Sequence, residues 1–426
     1  MNPILAWPYA AAATAARWLA HAPALGDGKL ARSLRARRGL LERYETWARA
    51  HRETARPLLW MHAPSVGEGL QARPVIEALR GARPDLQVAY TYFSPSAERF
   101  AQTVGADFTD YLPFDRAADM RRALDALRPT ALVFSKLDLW PSLVAEARAR
   151  GVRLGMISAT LAEGSGRRGR LAGALLRGAY SALDAVGAID AGDAERLVEL
   201  GVERDRITVT GDTRYDQVAA RAASADRAGA LLAPLASERP TLVAGSTWPA
   251  DERVLLPAWE ELRAIVPEAR LIIAPHEPTP QHLEPVRRWA ARASLSLDTL
   301  ASATDRADVV LVDRTGVLGE LYALADVAFV GGGFHAAGLH SVLEPAAFGV
   351  PVLFGPRFTN SRDAALLIEA RAGESVADVA TFARSLSIVL TEPDTRERAG
   401  HAARLVVQAG LGAAERSADL VSRLLG

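Results

Sequence analysis

From residue 57 onward the chain alternates short apolar runs with segments of helical period. PLLWMHA leads into GLQARPVIEALRGA, LQVAYTYF into SPSAERFAQTVG, TALVFSKLDLW into PSLVAEARARG, and AVGAID into AGDAERLVELG. VRLGMIS leads into an Arg-rich segment around RRGRLAGALLRGAYSAL. Strand-length runs separated by helices of about 10–15 residues predict right-handed βαβ units and a parallel sheet. The rhythm lapses between residues 212 and 238, in polar, Ala-rich text that ends at Pro240. It resumes with TLVAGSTW, ARLIIAPHE, DVVLVDRTG, DVAFVGGGF and VPVLFGP. The pattern predicts an α/β protein of two doubly wound, Rossmann-like domains. Residues 46–218 form the first, 219–240 a linker and 241–426 the second, with the last helix packing back on the first. Such sheets bind ligands outside the carboxyl ends of their strands, here in a cleft between the domains.

Composition changes this picture little. The 426 residues are 49% hydrophobic and 23% charged, enough apolar material for two cores. Lys+Arg and Asp+Glu are both 50, so no overall basic field speaks for nucleic acid as a partner. There is no cysteine, which excludes disulfides, thiolate nucleophiles and Cys-ligated metals.

Residues 1–45 stand apart. MNPILAWPYAAAATAARWLAHAPAL is apolar but broken by Pro8 and Arg17, and Lys29, Arg32, Arg35, Arg37 and Arg38 follow it. A spanning helix needs about 20 uninterrupted apolar residues, and no basic region precedes the apolar part as in a signal peptide. The segment predicts attachment to an anionic lipid surface, on the cytoplasmic face of the membrane, or an Ala-rich core helix with a solvated basic tail.

Candidate chemistry lies at the strand ends. In ADVAFVGGGFHAAGLHSVLEPAAFGVPVLFGP, a buried strand over Val327–Val330 runs into Gly331, Gly332 and Gly333. Three glycines allow backbone amides to approach a phosphate. Ser341 is the expected N-cap of a following helix whose first turn holds Glu344, a carboxylate able to accept both hydroxyls of a ribose. Ser246 and Thr247, in VAGSTWPADE, are further phosphate candidates or plain helix caps, and His276 ends another strand in IIAPHEP. The first domain has no such loop. It offers Glu68 between two glycines in SVGEG, Ser94 and Ser96 in YFSPSAERF, Lys136 and Asp138 in FSKLDLWP, and Arg73, Arg167, Arg168 and Arg170. A carboxylate to take a proton, hydroxyls to orient a sugar and cations for an anion suit an acceptor site; the Arg residues equally suit a solvated face.

HAPSVGEGLQARPVIEALR, DYLPFD, LWPSLVAEARARGVRLGMISATL, ITVTGDTRYDQ, AGSTWPADE and GGGFHAAGLHSVLEPAAFGVPVLFGP occur in this order. With them the chain resembles the 3-deoxy-D-manno-octulosonic acid (Kdo) transferases of lipopolysaccharide assembly, over about residues 57–375. The resemblance implies a GT-B fold, CMP-Kdo as donor and lipid IVA as acceptor, and inverting transfer with no cofactor or metal ion at the inner face of the inner membrane. It implies Glu68 as general base; Ser65, Gly67, Ser94, Ser96 and Asp138 are the candidates on the acceptor side. Gly331, Gly332, Gly333, Ser246, Thr247, His276, His340, Ser341 and Glu344 fall to the CMP site. No Asp-x-Asp cluster adjoins the glycine loop, in keeping with metal-free transfer.

Three positions depart from the family pattern. Lys136 and Asp138 stand where many members carry two Glu, His340-Ser341 where many carry His-Asn, and His276 where many carry Arg. A GT-B transferase of another nucleotide sugar, a sugar-nucleotide epimerase of that fold and a non-catalytic nucleotide-sugar binding protein are the alternative readings.

Overall fold

The structure, a computed structural model, describes residue 14 and residues 28–426 except 163, 164, 166 and 168. It divides into two compact units, residues 1–217 with 412–426, and residues 218–411. Most of the expected membrane-attaching segment, and Arg168, lie outside the described residues.

The first unit holds β1 (Leu58–His62), β2 (Gln87–Tyr92), β3 (Phe108–Tyr111), β4 (Ala131–Ser135), β5 (Arg153–Ala159), β6 (Ala185–Ala188) and β7 (Ile207–Val209). They form one parallel sheet in the order β3-β2-β1-β4-β5-β6-β7. The second unit holds β8 (Thr241–Thr247), β9 (Arg270–Pro275), β10 (Leu297–Thr299), β11 (Val309–Leu311), β12 (Val327–Val330), β13 (Val352–Phe354) and β14 (Gly373–Ser375). Their order is β10-β11-β9-β8-β12-β13-β14, again all parallel. Parallel sheets are covered on both faces, which explains why β1, β2 and β4 are buried along their whole length. In the second unit, alternate residues of one strand enter different cores: Leu271 and Ile273 lie in one, Ile272 in the other.

Strand order reverses between β1 and β4 in the first unit, and between β8 and β12 in the second. Ligands of doubly wound sheets collect at such a switch point, because the helices on either side diverge there.

Two boundaries differ from the sequence expectation. Residues 219–240 belong to the second unit, where Leu232 and Leu235 are buried in a core with Val243 and Ile272. The absence of a strand disguised those two anchors. Residues 28–45 belong to the first unit: Leu34, Leu40, Leu41 and Tyr44 are buried, and Tyr44 donates to the Tyr111 carbonyl at 2.8 Å. Arg37, expected in a lipid-facing basic cluster, is buried as well. It donates to the carbonyls of Ser33, Leu112 and Phe93 and lies over the Phe93, Tyr111 and Phe114 rings. Burial lowers its pKa to about 10. The terminal helix Ala413–Leu425 lies in the first unit, where it buries Leu420, Val421, Leu424 and Leu425, and Asp216 accepts the amides of Gly412 and Ala414 at its start.

Candidate functional site

At the first switch point, β1 feeds the helix Val66–Ala82, with Glu68 in its first turn, and β4 ends at Ser135, directly before Lys136. Ser65 Oγ donates to Glu68 Oε2, and Lys136 Nζ lies 3.5 Å from Oε1. Ser135 Oγ donates to the Glu68 carbonyl at 2.9 Å, tying β4 to the helix start. The Glu68 side chain keeps 19% of its exposure, so a ligand can reach it.

The flanking glycines do different work. A Cβ on Gly69 would strike the Phe100 ring and come within 2.6 Å of Tyr90 Oη, so that glycine serves packing. A Cβ on Gly67 would meet nothing nearer than Ser65 Oγ at 3.8 Å. The face above Gly67 is open, so there is room there for a ligand group beside the carboxylate. Gly67→Ala is expected to fold with equal or higher stability, by about 0.5–1 kcal/mol, because Ala favours a helix. It should raise the acceptor KM several-fold; urea unfolding and steady-state kinetics check both halves.

The remaining first-unit candidates are mostly engaged within the protein. Ser65 spends its hydroxyl proton on Glu68. Ser94 caps the short helix Pro95–Ala97 and shares a 2.8 Å hydrogen bond with Ser96. Asp138 pairs with Arg167. Arg73 lies 3.5 Å from Glu77.

Sequence reasoning passed over His62 and Trp140. His62, fully buried at the end of β1, accepts from Trp140 Nε1 at Nε2 (3.1 Å) and places Nδ1 3.0 Å from the Thr91 carbonyl. That pairing assigns the neutral tautomer with Nδ1 protonated. Trp140 in turn stacks on Phe93 at 5.0 Å, so the imidazole fixes an aromatic row across the strand ends. Burial depresses the His62 pKa to about 3. Unfolded chains bind a proton there below pH about 6.5 that the folded chain refuses. Its contribution is therefore complete above that pH and falls by about 1.4 kcal/mol per pH unit on acidification toward the folded value. Urea unfolding at pH 7.5, 6 and 5 should show this slope, and His62→Gln should flatten it.

At the second switch point the glycine loop packs closely against its neighbours. Gly331 N donates to the Gly245 carbonyl at 2.8 Å. Gly332 N (2.8 Å) and Phe334 N (3.0 Å) donate to Asp251, which also accepts Trp248 N at 2.8 Å. The amides of Gly331, Gly332 and Phe334 are thus committed within the protein. The glycines are needed for close approach: a Cβ on Gly331 would collide with the Ser246 carbonyl, and one on Gly333 would come within 2.5 Å of Gly355 N. Gly332 also has a φ of 93°, a region closed to most side chains.

Asp251, completely buried in the first turn of the helix Pro249–Arg263, thus ties the end of β8 to the loop after β12. Burial raises its pKa and the backbone N–H groups oppose that shift. Thr247 is buried with its hydroxyl donated to Glu252 at 2.9 Å, and the N-cap of this helix is Trp248, not Ser246 or Thr247. Ser246 has a left-handed φ of 54°, and backbone strain of this kind concentrates at ligand sites.

Trp248 organises the imidazoles. Its ring stacks on His335 at 4.3 Å and on His276 at 4.6 Å, and Nε1 donates to His340 Nε2 at 3.0 Å. His340 is therefore a Nδ1–H donor, and burial together with His276 and His335 lowers its pKa to about 4. Trp248, His335 and Asp251 escaped sequence reasoning although they lie inside or beside the motif blocks. Ser341 is exposed and one residue ahead of Val342, the N-cap of the helix Leu343–Ala347, so it caps nothing. Glu344 does occupy that first turn. Its Oε1 lies 3.6 Å from Arg221 Nη1; burial raises its pKa while Arg221 opposes the shift.

Two doubly wound parallel sheets with these strand-end sites define a protein of the GT-B fold. The structure aligns with UDP-GlcNAc 2-epimerase from Neisseria meningitidis at a TM-score of 0.62, over 87% of this chain and 99% of that one, with 16% identity. It aligns with a glycosyltransferase from Rickettsia africae at 0.58, over 87% and 99%, with 12% identity. Residues 32–217 match the family model described as 3-deoxy-D-manno-octulosonic-acid transferase. The 3-deoxy-D-manno-octulosonic acid transferase of Bordetella pertussis is 31% identical over 392 residues, 89% of this chain and 90% of that protein. That of Haemophilus influenzae is 27% identical over 401 residues, 92% and 93%. The chain belongs to the Kdo transferase family of glycosyltransferases.

Proposed function

We propose that the chain transfers Kdo from CMP-Kdo to lipid IVA with inversion at the anomeric carbon and without a metal ion. Glu68 accepts the proton of the attacking acceptor hydroxyl as the new bond forms, and CMP leaves with the electron pair of the bond to Kdo. The observation that carries this reading is the Glu68 carboxylate, held at the first switch point beneath the open face over Gly67. The first unit receives the acceptor. In the second, Glu344 takes the ribose hydroxyls, while Ser246, His276, Ser341 and the Nδ1–H of His340 steady the departing phosphate. Fixed donors serve a leaving group of this kind because they are in place before the charge develops.

Among the described residues no helix is long and apolar enough to cross a membrane. The reaction is assigned to the cytoplasmic face of the inner membrane, where the acceptor lipid resides. The reading is tested by product analysis: transfer from CMP-Kdo should proceed equally with and without EDTA and give a product whose anomeric configuration, by NMR, is opposite to the donor's. Loss of activity on chelation, or a retained configuration, overturns it.

A further inference from the structure

We propose that Lys136 is a positioning residue for the transfer reaction, fixing the orientation in which the Glu68 carboxylate meets the acceptor; this rests on Glu68 being the base. Three observations place it there. Lys136 follows β4 directly, on the opposite side of the switch point from Glu68, and its ammonium lies 3.5 Å from Glu68 Oε1. With Ser65 Oγ on Oε2, both carboxylate oxygens are gripped, and each keeps a second lone pair for a substrate hydroxyl. Its backbone has a φ of 61°, held by a 2.9 Å hydrogen bond from Lys136 N to the Ile157 carbonyl.

That last point separates function from packing. Gly or Asn is the usual occupant of left-handed backbone, since a Cβ and long side chain are strained there. The Lys136 side chain is 35% exposed, so core packing does not explain its presence. A strained residue whose charged end reaches a reactive group is a pattern of functional sites.

The test uses the full chain with CMP-Kdo and lipid IVA, and variants Lys136→Gly, Lys136→Met, Lys136→Arg and Glu68→Gln. Lys136→Gly relieves the backbone strain, so its Tm should equal or exceed that of the wild type. Its kcat should fall about tenfold or more, as misplaced catalytic groups do, with both KM values within about twofold of the wild type. Lys136→Arg should restore most of kcat. Wild-type kcat in both Lys136→Gly and Lys136→Met overturns the proposal, and so does a loss confined to KM, which marks a substrate contact instead. Glu68→Gln distinguishes the two levels. If it is inactive while the Lys136 variants are normal, the positioning role alone fails; if it is fully active, the base assignment fails and takes the positioning role with it.

Discussion

Glu68→Gln lowers kcat by about 10²–10⁴-fold, the range expected for loss of a general base, and leaves CMP affinity unchanged. The amide keeps the size of the side chain and can still accept from Ser65, so the helix start is preserved. What it cannot do is take a proton. In the proposed assignment CMP is held by the second unit, through Glu344 and the imidazole cluster, and has no reason to respond. Steady-state transfer kinetics and calorimetric titration of CMP check the two halves separately. A kcat within about threefold of the wild type would place the base elsewhere. A parallel loss of CMP affinity would mean that the substitution disturbs more than the proton acceptor.

The second large effect is expected at Asp251→Asn. Asp251 offers two anionic oxygens to three backbone N–H groups in a fully buried site. Asn presents one oxygen and an NH2 group, so at least one backbone donor faces another donor. Hydrogen bonds to a charged group and the penalty for a buried orphan donor together put the cost at about 2–4 kcal/mol. For a unit of this size that corresponds to a fall in Tm of about 5–15 °C. CMP binding should weaken at temperatures where the variant is still folded, since the loop carrying His335 and His340 loses its tie to β8. Thermal unfolding with and without CMP measures both. A variant with wild-type Tm and CMP affinity would show that the clamp is dispensable.

The central strands could be read from the sequence; the strands at the sheet margins could not. β3, β7, β10 and β14, which no apolar run announced, are the four edge strands of the two sheets. β7, β10 and β14 are only three residues long and partly exposed, so they lack the continuous apolar signature of a strand buried on both faces. The helix-start positions of Glu68 and Glu344 were legible because a carboxylate in the first turn of a helix is a local pattern. The close packing at the glycine loop was hidden for a physical reason. Glycines that admit a phosphate and glycines that admit another backbone look the same in sequence, and here Ser246 and Gly355 fill the space. Asp251 was hidden likewise: an Asp in the first turn of a helix reads as a dipole partner, and its two distant partners, Gly332 and Phe334, lie 81 and 83 residues away. The two Trp–His pairs, Trp140 with His62 and Trp248 with His340, join residues 78 and 92 positions apart, beyond any motif.

The measurement that bears most directly on the account is the mass of lipid IVA after incubation with the wild-type chain and freshly generated CMP-Kdo. A lipid heavier by one or more Kdo units is expected, with CMP released in equal number. An unchanged lipid mass, from protein shown to be folded and to bind CMP, would contradict it.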